Sequence, residues 1–293
     1  KCHCEFLRWG AVMRMLLTVC FMMGTCSRLL AQQSWPPELP GERHVYKQVG
    51  ETSLHLWVLS GVQSQVAADG GATESTAQPA IVFFFGGGWT SGSPEQFVPQ
   101  ARYLASRGIT AVLADYRVAS RQQVRAVSCV EDAKSAVRWL RAHAAELRID
   151  PQRICAAGGS AGGHIACCTA LIEGLDAAGE DLSISSVPNA LALFNPAVVL
   201  APLEAVEMSA EETAKLQSLA ARTGVDPVKI SPAHHVRKGL PPAIIFHGVA
   251  DTTVPIVTVA EFEKRMVSAG NRCELKRFAD APHGFFNLRE NRG

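Results

Sequence analysis

Ile154-Cys155-Ala156-Ala157-Gly158-Gly159-Ser160-Ala161-Gly162-Gly163-His164 is a run of small and apolar residues interrupted by one serine. It reads as a buried strand that turns sharply into a helix, with Gly158 to Gly162 forming the turn. Gly-x-Ser-x-Gly is a common pattern, and its strand-before, helix-after setting carries the meaning. A serine hydroxyl that is to attack a substrate must stand on a tight corner, so its neighbours must let backbones approach closely. Gly158 and Gly162 flank Ser160, and Ala161 keeps the corner narrow. The helix starting there aims unpaired N–H groups and the positive end of its dipole at charge developing beside Ser160. A phosphate-cradling loop would require a Gly-Lys-Ser/Thr ending, which is missing. A plain packing turn would leave the companions of Ser160 unexplained.

Working outward, residues 81–85 (Ile-Val-Phe-Phe-Phe) form a continuous apolar run, as expected of a central strand covered on both faces. Three glycines, Gly86 to Gly88, and Trp89 follow directly, giving a loop whose N–H groups can approach a ligand closely. Further buried strands are predicted at 110–115, 190–194, 243–248 and 273–278. Helices with apolar residues at helical spacing are predicted at 94–106, at 127–147 and from 256 to 269. Strands alternating with helices imply a mostly parallel sheet with helices on both faces, an α/β fold. Alternating segments at 44–49 and 54–59 predict a hairpin at one sheet edge, and 66–78, rich in Ala, Gly, Ser and Thr, predicts a surface loop. Residues 197–238 interrupt the strand pattern with a polar helix at 204–221 and a Pro-containing stretch, and are read as a small cap over the strand ends.

The chain has 293 residues, 47% hydrophobic and 19% charged, with a net charge of +1. That length allows one large domain, and the near-neutral charge argues against nucleic acid or an anionic membrane as a main partner. Arg14, the apolar run from Met15 to Met23 and a small residue, Ala31, have the layout of a secretory signal peptide, which implies a secreted or periplasmic protein. The segment is too short for a stable membrane anchor. Lipid attachment at Cys26 is disfavoured by Thr25, and Met13 or Met15 is the expected start. The division expected is therefore 1–34 as upstream segment and signal peptide, 35–41 as linker, and 42–293 as the domain. Cys129, Cys155, Cys167, Cys168 and Cys273 fall in predicted helices and strands, where cysteine serves as a small buried hydrophobe. The cysteine and histidine spacing predicts no metal site, and no cofactor is expected.

A serine nucleophile needs a base to take its proton and an acid to hold that base in the right tautomer. Asp251 and His283 each follow an apolar strand, and the order Ser160, Asp251, His283 is that of the α/β-hydrolase arrangement. From about residue 42 onward the chain resembles α/β-hydrolases of the hormone-sensitive-lipase and carbohydrate-esterase type. The matching stretches are Phe85 to Trp89, Asp115-Tyr116-Arg117, Asp150 to Ile154, Gly158 to His164, His247-Gly248 through Asp251, and His283-Gly284-Phe285. The resemblance implies Ser160 as nucleophile, His283 as base and Asp251 as orienting acid, with an oxyanion hole from the N–H groups of Gly87, Gly88 and Ala161. Trp89 and His164 are candidates for substrate contact. Many relatives of this type carry His where this chain has Phe85, so the glycine loop must be held in another way, with Trp89 or Tyr116 available to pack. The fold normally closes with a helix after the histidine, which the ten residues beyond His283 are too few to supply.

The reading that follows is a secreted serine esterase acting on short acyl or carbohydrate-linked esters, acetyl or feruloyl, as small-molecule or carbohydrate substrates. A serine peptidase of the prolyl-oligopeptidase type is a second reading, against which the three glycines weigh. A non-catalytic binding protein on the same fold would usually have lost one of the three residues, and all are present. Oligomeric state is not legible. The signal-peptide reading predicts a mature N-terminus between Gln32 and Trp35. N-terminal sequencing of exported protein checks it, and recovery of the intact apolar segment on soluble cytosolic protein would refute it.

Overall fold

The computed structural model describes residues 35–62, 77–204 and 206–287. The predicted signal segment, most of the 66–78 loop and the last six residues lie outside them. The chain divides between Glu38 and Leu39, and the architecture below is that of the second unit, Leu39–Gly293.

Among the described residues eight strands form one sheet: β1 (Glu42–Val49), β2 (Thr52–Leu59), β3 (Gln78–Phe84), β4 (Thr110–Ala114), β5 (Ile149–Gly159), β6 (Ala190–Phe194), β7 (Ala243–Gly248) and β8 (Cys273–Phe278). Their spatial order is β1-β2-β4-β3-β5-β6-β7-β8. Only the β1–β2 hairpin and the β2–β4 pairing are antiparallel, and every pairing from β4 to β8 is parallel. The helices are α1 (Val98–Ala105), α2 (Ala119–Gln122), α3 (Ala126–Ala142), α4 (Ala161–Leu171), α5 (Ala210–Ala220) and α6 (Ile256–Ser268). This is the α/β-hydrolase architecture that the resemblance implied.

The two-residue period of a strand sorts side chains between the two faces of the sheet. Val82 and Phe84 of β3 join the core beneath α3, α4 and α6, whereas Phe83 joins the opposite core with Phe97, Leu113 and Ala101 of α1. Helix α4 is buried along its whole length and has no polar face, which is why its sequence shows no amphipathic stripe.

Three boundaries differ from the sequence reading, each for a local reason. Helix α3 stops at Ala142 because Arg148, at φ 55°, turns the chain back so that the Ile149 N–H reaches the Ala144 carbonyl. Strand β5 begins at Ile149, pairing once with Gln78 before a bulge and resuming at Ile154 opposite Ala80. In the cap, helix α5 begins only at Ala210, where Ser209 and Glu212 form a reciprocal capping box. The cap also contains 3₁₀ turns at Pro227–Ile230 and Pro232–His234.

Backbones come into very close contact where α4 meets the end of β3. A Cβ at Gly162 would lie 2.1 Å from the Phe84 carbonyl oxygen, and one at Gly158 would lie 2.5 Å from the Gly162 backbone. Backbone atoms on both sides leave nothing able to give way. Gly162→Ala should therefore lower stability by about 3 kcal/mol or abolish folding. Gly239→Ala, whose Cβ meets nothing within 4 Å, should cost only its backbone strain, about 1 kcal/mol. Thermal melts of the two variants compare these outcomes.

Candidate active site

Ser160 sits between β5 and α4 with φ 54° and ψ −117°, a conformation a non-glycine residue holds only under constraint. The constraint is visible: its N–H donates to the Phe194 carbonyl at 2.8 Å, and its carbonyl starts α4 by accepting from His164 N–H at 3.0 Å. The corner turns the hydroxyl out of the sheet toward the loop after β8.

His283 lies on that loop. Its Nε2 is 3.0 Å from Ser160 Oγ and its Nδ1 is 2.8 Å from Asp251 Oδ2. The carboxylate fixes the tautomer: Nδ1–H donates to Asp251, leaving Nε2 free to accept the serine hydroxyl proton. Asp251, just after β7, accepts at Oδ1 from the N–H groups of Thr253 (2.8 Å) and Val254 (2.9 Å). Burial pushes its carboxyl upward. The hydrogen bonds from His283, Val254 and Thr253 outweigh that and hold it below the usual carboxylate range, so it is ionised at neutral pH.

Asn195 belongs to the same network and was not singled out in the sequence. Fully buried at the end of β6 with φ 43°, it donates Nδ2–H to Asp251 Oδ2 at 2.5 Å. Its only sequence signal is the Asn195-Pro196 step that ends the strand.

The glycine loop is held by Tyr116, which answers the substitution at Phe85. The two rings stack at 4.1 Å, and the Tyr116 hydroxyl donates to the Phe85 carbonyl at 2.6 Å. The Gly86 N–H donates to Gln96 Oε1 at 2.6 Å. Gly87 adopts φ 125°, and a Cβ there would fall 2.0 Å from the Ser91 carbonyl oxygen, so glycine is obligatory. Among the described residues the N–H groups of Gly87, Gly88 and Ala161 donate to no protein acceptor, and all three residues border one cavity with Ser160 and His283. That cavity has a volume of about 560 Å³, and the cap closes one side of it through Lys215, Ser218, Leu219 and Arg222.

Of the two residues expected to contact substrate, Trp89 borders the cavity and His164 does not. His164 is fully buried and does not line the cavity. Its Nε2–H donates to the Ile230 carbonyl in the cap at 2.6 Å, and its Nδ1 accepts from Trp89 Nε1–H at 3.2 Å. Trp89 does border the cavity but is only 2% exposed. Both rings brace the loop against the cap, a role the sequence offered for Trp89 but not for His164.

Residues 71–266 match the BD-FAE family model. Among solved structures, esterase 2 of Thermogutta terrifontis with butyrate bound is 48% identical, covering 89% of this chain and 91% of that one, at a TM-score of 0.77. The same enzyme phosphonylated by sarin gives 48% identity, the same coverages and a TM-score of 0.79. A probable isoprenylcysteine alpha-carbonyl methylesterase of Oryza sativa subsp. japonica is 28% identical over 222 residues, 70% of this chain and 51% of that protein. This chain thus spans about half the length of that curated relative.

The buried His164 gives a signature in pH. Burial lowers its pKa from 6.5 to about 4, with the Ile230 carbonyl pulling weakly the other way. Between those values the unfolded chain binds a proton that the folded chain refuses, so stability falls as pH falls through that window and levels off below it. His164 should contribute a loss of about 3 kcal/mol between pH 7 and pH 4. Denaturant melts at several pH values check this: His164→Gln should be less stable at pH 7 but show a shallower fall.

Proposed function

This chain belongs to the BD-FAE family, and from that premise we propose that it is a serine carboxylic-ester hydrolase working through an acyl-enzyme on Ser160. The observation that carries the reading is the continuous hydrogen-bonded chain from Ser160 Oγ through His283 to Asp251, opening on a cavity bordered by unused N–H groups. His283 Nε2 takes the hydroxyl proton as Ser160 Oγ adds to the ester carbonyl. The N–H groups of Gly87, Gly88 and Ala161 receive the oxyanion, whose charge also faces the N-terminus of α4. The protonated His283 returns its proton to the departing alcohol, and Asp251 steadies the imidazolium meanwhile. Water then repeats the sequence on the acyl-enzyme and releases the acid.

Short acyl chains are the proposed substrates, supported by the butyrate found in the T. terrifontis enzyme. Carbohydrate-linked acetyl and feruloyl esters belong to the same proposal, as variants on the alcohol and acyl sides. The Arg14 to Ala31 pattern supports an exported, secreted or periplasmic enzyme.

Ser160→Ala or His283→Ala should lower turnover of a 4-nitrophenyl butyrate substrate roughly 10⁴-fold or more, and the double variant should be little worse than either. Asp251→Asn should lose somewhat less. Multiplying losses in the double variant, or an active Ser160→Ala protein, would refute the mechanism. A panel of acetyl, butyryl, longer-chain and feruloyl esters, with a peptide amide as control, ranks the substrates. Faster cleavage of the amide would favour a peptidase.

A further inference from the structure

Resting on this reading of the site, we infer that the enzyme takes esters bearing a carboxylate near the reacting bond and recognises that group through Arg222. The cavity contains two cationic side chains, Lys215 and Arg222, and no aspartate or glutamate among its described lining residues. The two cations differ. Lys215 is occupied: its ammonium donates to Glu211 Oε1 at 2.7 Å and to the Thr252 carbonyl at 2.8 Å. Arg222 has no carboxylate within ion-pair distance among the described residues, and its guanidinium donates only a long bond of 3.4 Å to Ser218 Oγ.

Arg222 is also aimed. Its Nη1 overhangs the glycine loop so closely that a Cβ on Gly88 would lie 2.7 Å away. The backbone carrying it is pinned: the Arg222 carbonyl accepts from Ala126 N–H and the Thr223 carbonyl from Val127 N–H, each at 3.0 Å. Gly224, at φ 77°, packs so tightly on Arg125 that a Cβ would fall 2.5 Å from Arg125 Cβ. The foot of the cap is thereby fixed to the start of α3, and only the side chain beyond it is free to adjust. A guanidinium presents paired N–H groups that match a carboxylate, and because Arg222 is itself exposed the contact rests on that paired geometry against solvent screening. Arg222 is thus a specificity residue set beside the place where the ester carbonyl must lie.

The carboxylate can sit on the acyl or the alcohol side, and two substrate pairs separate these cases. Mono-(4-nitrophenyl) succinate is compared with 4-nitrophenyl butyrate, and 4-carboxyphenyl butyrate with its methyl ester. For at least one pair, Arg222→Ala should lower the charged-to-neutral ratio of kcat/KM roughly three- to tenfold. Arg222→Lys should keep part of that ratio and Arg222→Glu should lower it further. The wild-type preference should also weaken as salt rises from roughly 0.05 to roughly 0.5 M. Thermal melts confirm that each variant is folded. Equal loss on charged and neutral esters would mean that Arg222 merely supports the loop, and no loss on either would mean it is idle; both overturn the inference while leaving the esterase reading intact. If the wild type hydrolyses none of the four esters, the esterase reading falls and this inference with it.

Discussion

The structure depends on one close approach, where the backbone of the Ser160 corner presses against the end of β3 with no side chain between. Gly158 and Gly162 make that approach possible, since a single methyl at Gly162 would drive into the Phe84 and Phe85 carbonyls. With those backbones in contact, Ser160 is left in its strained φ, Ala161 borders the same cavity as Gly87 and Gly88, and the Phe286 ring lies across Gly159. Any side chain in the gap would move the serine away from the loop it must work with. The strain at Ser160, of order 1–3 kcal/mol for such a conformation, is carried by the surrounding sheet and helix.

Electrostatics set the second requirement. A carboxylate in a buried site tends to bind a proton and lose its charge. Asp251 resists because Thr253, Val254, Asn195 and His283 all donate to it. Three of these donors come from β6 and from the turn after β7, so the sheet itself prepares the charge that orients His283. The loop after β8 then has only to deliver one imidazole.

Much of this was legible in the sequence because it depends on local chemistry. The Ser160 corner announces itself through its glycines, and Asp251 and His283 through their places directly after apolar strands. The compensation at Phe85 was legible as a choice between Trp89 and Tyr116. That Tyr116 fills the role depends on β3 and β4 lying side by side, a pairing between strands about thirty residues apart. Asn195 escaped because an asparagine before proline is an ordinary strand ending, and its function comes only from pairing across β6 and β7. His164 misled for the converse reason: adjacency to the serine in sequence suggested the pocket, whereas the α4 helix turns it inward to the Ile230 carbonyl. The cap helix was drawn too long because apolar spacing does not mark a start, and the Ser209–Glu212 box does.

That inward-turned histidine has a consequence for how the protein can evolve. Through its two ring nitrogens the cap's 3₁₀ turn and the tryptophan of the glycine loop share one buried imidazole, which supplies a donor to one and an acceptor to the other. Selection for a new substrate would ordinarily act on the cap, the more polar and less regular part of the chain. Here a shift of the turn that carries Ile230 pulls on the same ring that steadies the loop beside Ser160. Specificity and rate are therefore mechanically yoked, and lineages that remodel the cap must either keep the backbone at Ile230 in place or replace His164 and Trp89 together.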